Sequence, residues 1–165
     1  MRALFQAMHD PPEITGINLK GMTPREIQAL LPEYNDTASN PMYGIFVDDS
    51  TGRAFGFQSG QTFGEAVHGQ LTFRRGTLSS VEIERTNINF ITQEAHIEAQ
   101  VSGFMWKHAI AAGTLYINGS GPCLGPFGCN ENLPYLLPPG ARLKVYGLEM
   151  EGLYQGRPAQ GDAHE

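Results

Sequence analysis

Residues that can hold a metal and a residue that can move protons lie close together in this chain. His96 offers an imidazole, Cys123 and Cys129 offer two thiols, and Glu98 offers a carboxylate two positions from the histidine. One imidazole and two thiolates fill three positions of a tetrahedral zinc ion and leave the fourth for water, which is the catalytic pattern rather than the structural one. Water on such an ion gives up a proton more readily, and a carboxylate beside it can take that proton and pass it on. The chemistry implied is hydrolytic. Each member alone has a plainer explanation. His96 suits a capping or partly buried ring, and Glu98 suits a solvated helix residue. The cysteines suit a small disulfide loop or two unrelated thiols, although a chain of this size needs no disulfide. Spacing alone leaves those readings open, and the set is more specific than any one of its parts.

The elements that carry these residues sharpen the picture. After Gln93 the pattern turns helical: Ile97, Val101, Phe104, Met105, His108 and Ala109 recur at three- and four-residue steps, so a helix is expected, with Gly113 as its stop. His96 and Glu98 stand at its start. Residues two apart point to different sides of a helix interior, but an end-on site at the first turn can collect both. Cys123 lies in a Gly/Pro-rich loop, and a second helix is expected from Cys129 to Leu137, ended by Pro138-Pro139-Gly140. Two helix N-termini facing one ion add a positive field that favours thiolate over thiol. The order H-x-E…P-C…C follows the zinc deaminase signature, in which the glutamate is a proton carrier and not a ligand. It departs from that signature in having five residues between the cysteines instead of two.

Upstream, Thr23-Pro24-Arg25-Glu26 has the form of a capping box opening a helix, with Ile27, Leu30 and Leu31 as its apolar stripe and Pro32 as its stop. Met42 to Val47 and Arg53 to Phe57 read as a hairpin around Asp48-Asp49-Ser50-Thr51-Gly52. Residues 61–90 fit either a second hairpin around Arg75-Gly76 or a long functional loop. Thr114 to Asn118 and Arg142 to Tyr146 read as strands flanking the second helix, hence a parallel pair with a right-handed crossover. The chain is expected to be an α/β sandwich around a mixed sheet, with a loose lead-in over 1–21, a working domain over 22–156 and a polar tail over 157–165.

The chain has 165 residues and a net charge of −6, with 41% hydrophobic and 17% charged residues. That composition fits one globular domain with a real core. The acidic balance argues mildly against a nucleic-acid partner, whose phosphates need lysine and arginine. Arg74, Arg75, Lys107, Arg142 and Lys144 are the candidates for a local basic rim. No apolar run is long enough to span a bilayer, and the first residues lack the form of a signal peptide, so a soluble protein is expected, with no membrane partner.

The segments His96-Ile97-Glu98-Ala99-Gln100, Leu115-Tyr116-Ile117-Asn118, Pro122-Cys123, Gly125-Pro126, Gly128-Cys129 and Leu136 to Ala141 resemble the DddA-like family of bacterial deaminase toxins. Leu31 to Asn35 and Gln58-Ser59-Gly60 are similar as well. The resemblance is strong over 94–147 and patchy before, and residues 61–90 do not share it. It implies a three-layer α/β/α cytidine deaminase-like fold, a zinc ion held by His96, Cys123 and Cys129, and Glu98 as the catalytic acid and base. It implies conversion of cytosine to uracil in DNA, single-stranded and possibly duplex, with RNA or free nucleosides as the alternative substrates. A non-catalytic zinc-binding domain is the alternative of another class. Carried over by position, Tyr34 and Asn35 are candidates to contact DNA or the extruded base, Ser59 lies near the pocket wall, and Phe127 is a candidate to stack or wedge against a base, with a core or rim aromatic as the alternative for Tyr34 and Phe127. The resemblance also implies delivery into a target bacterial cell as part of a larger toxin, and a cognate immunity protein in the producer.

Overall fold

A computed structural model of the chain describes residues 11–32, 42–58, 97–119, 133–134 and 136–157. Among them run β1 (Glu13–Ile14), α1 (Pro24–Gln28), β2 (Tyr43–Asp48), β3 (Ala54–Gln58), α2 (Ile97–His108), β4 (Ala112–Ile117), β5 (Arg142–Tyr146) and β6 (Glu151–Gln155). The strands form one mixed sheet in the order β1-β3-β2-β4-β5-β6. Only β4 and β5 are parallel among these neighbours. The two short edge strands, β1 and β6, add to the strands expected from sequence.

The β2–β3 hairpin is set by its turn. Asp48 Oδ1 accepts from the Ser50 amide at 3.0 Å, and Gly52, at φ 76°, returns its amide to Asp48 O at 2.7 Å. An Asx-type bond followed by a left-handed glycine is ordinary turn chemistry. The expected capping box is present in full: Thr23 Oγ1 accepts from the Glu26 amide, and the Glu26 carboxylate accepts from the Thr23 amide. α1 ends at Ala29, before Pro32, and its stripe is narrower than expected, because Leu30 is exposed.

Alternation along the strands assigns the two faces. Phe46, Phe55, Phe57, Leu115, Ile117, Leu143, Val145 and Tyr154 pack on one side against Ile97, Val101, Phe104 and Met105 of α2. Ile45 and Ala54 point to the other side, against Ile27 of α1. The sheet therefore lies between two helical layers, as an α/β/α deaminase-like fold requires. Burial explains why α2 forms despite an interior glycine, Gly103. Four buried large side chains supply on the order of 10 kcal/mol before entropy is counted, against about 1 kcal/mol lost to the glycine.

α2 stops earlier than expected, and not at a glycine. The Ile110 amide bonds to Met105 O and the Ala109 amide to Trp106 O, which is a Schellman motif with Ala109 at its left-handed position, φ 53°. Gly113, expected as the stop, lies in β4 instead. A Cβ there would run into the Phe46 ring, so glycine is required by packing.

Candidate active site

Glu98 is the second residue of α2 and is 4% exposed. Its position follows from Ile97, which is buried on the sheet beneath it. A Cβ on Gly44 would meet Ile97, Leu115 and Ile117 within 3.3 Å, so the first turn of α2 sits over the start of β2 and the end of β4. The Ser102 hydroxyl donates to Glu98 O at 3.0 Å, securing that turn internally. Negative charge is favoured at this end of a helix. The opposite end carries Lys107 and His108.

The register gathers several chain exits at this same end. Tyr43 pairs with Gln58, and Gly44 with Ile117, so the start of β2 and the ends of β3 and β4 are neighbours. Gln100 Nε2 donates to Gln58 O at 3.1 Å and joins α2 to the end of β3. Asn118 Nδ2 donates to Pro32 O at 2.6 Å, and Asn118 Oδ1 accepts from the Tyr43 amide at 2.9 Å. Pro32, Met42, Gln58, Ile97 and Gly119 are the described residues that flank the segments bearing the expected site. Tyr34, Asn35, Ser59, His96, Cys123, Phe127 and Cys129 themselves lie outside the described residues, as do Arg74, Arg75 and residues 61–90. Leu133, Pro134 and Leu136 have helical backbone, consistent with the expected second helix.

Three of the described cations start from places remote from Glu98. Lys107 is nine residues further along α2, or about 14 Å of helix rise. Arg142 begins β5 and pairs with Ala112 at the start of β4, the far end of the sheet. Lys144 lies on the face away from α2, with its Nζ 4.8 Å from the Tyr146 ring centre. Its pKa is raised, first by hydrogen bonding with Tyr146, so it is tied into the sheet surface. Its neighbour Tyr116 stacks on Tyr146 at 5.3 Å, and burial first of all pushes the Tyr116 pKa up. A basic rim around Glu98 is thus not formed by these three residues.

Sequence reasoning missed three buried amides: Gln28, Gln100 and Asn118. Each left a faint signal, being a polar residue beside an apolar run where burial is otherwise continuous. Among the described residues no group of three His, Cys, Asp or Glu side chains gathers to hold a metal.

Glu98 is thus a buried carboxylate at a helix start, over the start of β2 and the end of β4. The family model described as SCP1.201-like deaminase matches residues 48–159, more than half of the chain. The chain belongs to the SCP1.201-like deaminase family. The matched stretch of this deaminase contains His96, Glu98, Cys123 and Cys129. It starts at the last residue of β2, so α1 and most of β2 precede it. No curated protein matches the chain. Among the described residues no helix of the deaminase is long and apolar enough to cross a membrane.

Proposed function

We propose that this deaminase uses zinc to convert cytosine in DNA to uracil, as the toxin domain of a bacterial competition system. The observation that carries the reading is Glu98: buried, on the first turn of α2, and beside the exits of the segments that bear His96 and Cys123. One imidazole and two thiols are a donor set that suits zinc and leaves one position open, so the residues present fit the metal. Bound there, zinc supplies the acidification of a water molecule. Glu98 takes a proton from the attacking water and delivers it to the ring nitrogen of cytosine, then takes the remaining proton from the hydroxyl added to the ring and delivers it to the departing amine. Water and cytosine give uracil and ammonia, and Glu98 ends in its starting form. Tyr34, Asn35, Ser59 and Phe127 are the proposed contacts to the base and its strand. An immunity protein in the producing cell is the proposed partner, and transfer into a target cell within a larger toxin is the proposed route.

The placement of Lys107, Arg142 and Lys144 away from Glu98 supports a second reading, free nucleosides, which require no phosphate grip. It also favours single strands over duplex, because extrusion from a duplex costs a few kcal/mol that few basic contacts offset. Matched single-stranded DNA, duplex DNA, RNA and free cytidine, compared at one salt concentration for uracil or uridine formed, decide the matter. Conversion in single-stranded DNA is expected. Turnover of cytidine alone would remove DNA as the substrate and the toxin role with it. Metal content is measured in parallel: one zinc per chain is expected, and Cys123→Ala or Cys129→Ala should lose it. A zinc-free parent protein, with Cys123→Ala as active as the parent, would remove the metal assignment.

A further inference from the structure

Two buried amides hold the end of β4, and the proton transfers above use neither. Gln28 Nε2 donates to Ile117 O at 3.1 Å and to Tyr146 O at 3.0 Å, the last carbonyls of the two parallel strands. Gln28 is 5% exposed and Asn118 is 4% exposed. Asn118 bonds to Tyr43 through both its side-chain oxygen and its backbone amide, and to Pro32 O through its side-chain nitrogen. The next residue, Gly119, accepts from the Leu148 amide at 2.8 Å, and a Cβ there would run into Met42. Three consecutive residues, 117 to 119, are therefore held by α1, by β2 with Pro32, and by the β5–β6 turn.

Strand-terminal carbonyls at a protein surface are commonly satisfied by water. Here fixed side chains replace it, and loss of Gln28 would take its partner from the buried Ile117 carbonyl, which is costly. Holding the end of β4 this firmly has a purpose if the chain must leave Gly119 from one defined place. We propose that Gln28 and Asn118 are positioning residues for the zinc site. They fix the root from which the chain runs to Cys123, and this role rests on Cys123 being a zinc ligand as proposed above. Gln28 lies before the stretch that the deaminase family model matches, so the working unit extends upstream of it.

The test uses the full chain, with zinc affinity measured by competition against a chromophoric chelator. Thermal unfolding of each zinc-free variant gives the stability lost. Asn118→Ala and Gln28→Leu are compared with Phe55→Leu, a core change at the other end of the sheet. The two latch variants should bind zinc about 10-fold more weakly, the low end of what outer-shell partners cost, while Phe55→Leu stays within roughly twofold. If Asn118→Ala does not fold, Asn118→Asp carries the same expectation, because it keeps the acceptor for the Tyr43 amide and loses the donor to Pro32. Unchanged zinc affinity in both latch variants overturns the proposal and leaves the zinc reading standing. So does an equal weakening by Phe55→Leu, since affinity would then only follow stability. A parent protein that binds no zinc overturns the zinc reading, and the positioning role falls with it.

Discussion

The two ends of α2 are built on opposite principles. At its start the buried residues include Glu98, Gln100 and Ser102, and the surroundings are tied by side-chain hydrogen bonds from Gln100, Asn118 and Gln28. At its end the chain is closed by apolar contact, with Ile110 buried against Phe104 and Met105 under the Schellman turn, and His108 is exposed. A groove of about 660 Å³ lies at this second end, lined by Phe55, Phe104, His108 and Ile110 among others. Concavity makes that groove one candidate for a site. Glu98 does not line it, and the chemistry outweighs the shape. Buried polarity that must be held in place characterises the end proposed to do the chemistry, and an easily satisfied apolar cap characterises the other.

Removing the carboxylate gives the largest expected break in that comparison. Glu98→Ala should cut uracil formation by at least 10²–10⁴-fold, roughly what loss of general acid and base catalysis costs. Zinc content and circular dichroism should stay at the parent's values. Substantial activity in a folded Glu98→Ala protein would move the chemistry to another group.

A core change should act on stability without choosing an end. Gly113→Ala pushes a methyl into the Phe46 ring and close to Val47 O. Overpacking of this kind costs about 1–3 kcal/mol. Denaturant unfolding should show a lower midpoint with an unchanged slope. A neutral result would mean that the Phe46 ring has room to turn aside.

The supporting end should accept improvement. Ala109 holds a left-handed conformation that glycine adopts without steric cost. Ala109→Gly should raise stability by about 0.5 kcal/mol, after the glycine's extra chain entropy is set against the relieved strain. Deaminase activity should not change. A lower melting point would show that the left-handed geometry is not strained here.

The smallest effect belongs to the surface ion pair. Arg53 Nη2 lies 2.7 Å from Glu13 Oε1, with both side chains exposed. Hydrogen bonding from Arg53 lowers the Glu13 pKa below its ordinary value. A depressed carboxyl contributes stability above its unfolded pKa and loses it as pH falls through its folded pKa. Glu13→Gln should therefore shift the melting point slightly at neutral pH and not at all in strong acid. Solvent-exposed pairs of this kind contribute little, so a large shift would point to a tighter coupling of β1 to the sheet.

These regions were not equally legible in the sequence. The hairpin, α2 and β5 declared themselves by periodicity and turn residues, because apolar burial on one face imposes a repeat. β1 and β6 did not. Two residues between Pro12 and Gly16 carry no period, and Glu151–Gln155 holds an interior glycine and an exposed Leu153. The cap at Ala109 was hidden because its left-handed turn is imposed by packing of Ile110 rather than by a glycine. The proposed role of Glu98 is read from its company with His96 and the cysteines, since the proposed reaction dictates residue types; its burial at the start of α2 is what the fold adds. Gln28 and Asn118 were not, because their value comes from carbonyls 89 and 86 residues away in the chain.

Trp106 gives the molecule an optical property. It is the only tryptophan in the chain, and its indole N–H donates to Leu136 O at 2.9 Å. The indole is half-buried between α2 and the helical turn that follows Cys129 in sequence. Its emission wavelength depends on whether that bond and the surrounding dryness persist. Fluorescence from this single intrinsic tryptophan therefore follows the seating of Leu136 against α2 in real time, without a label, as metal or substrate is added.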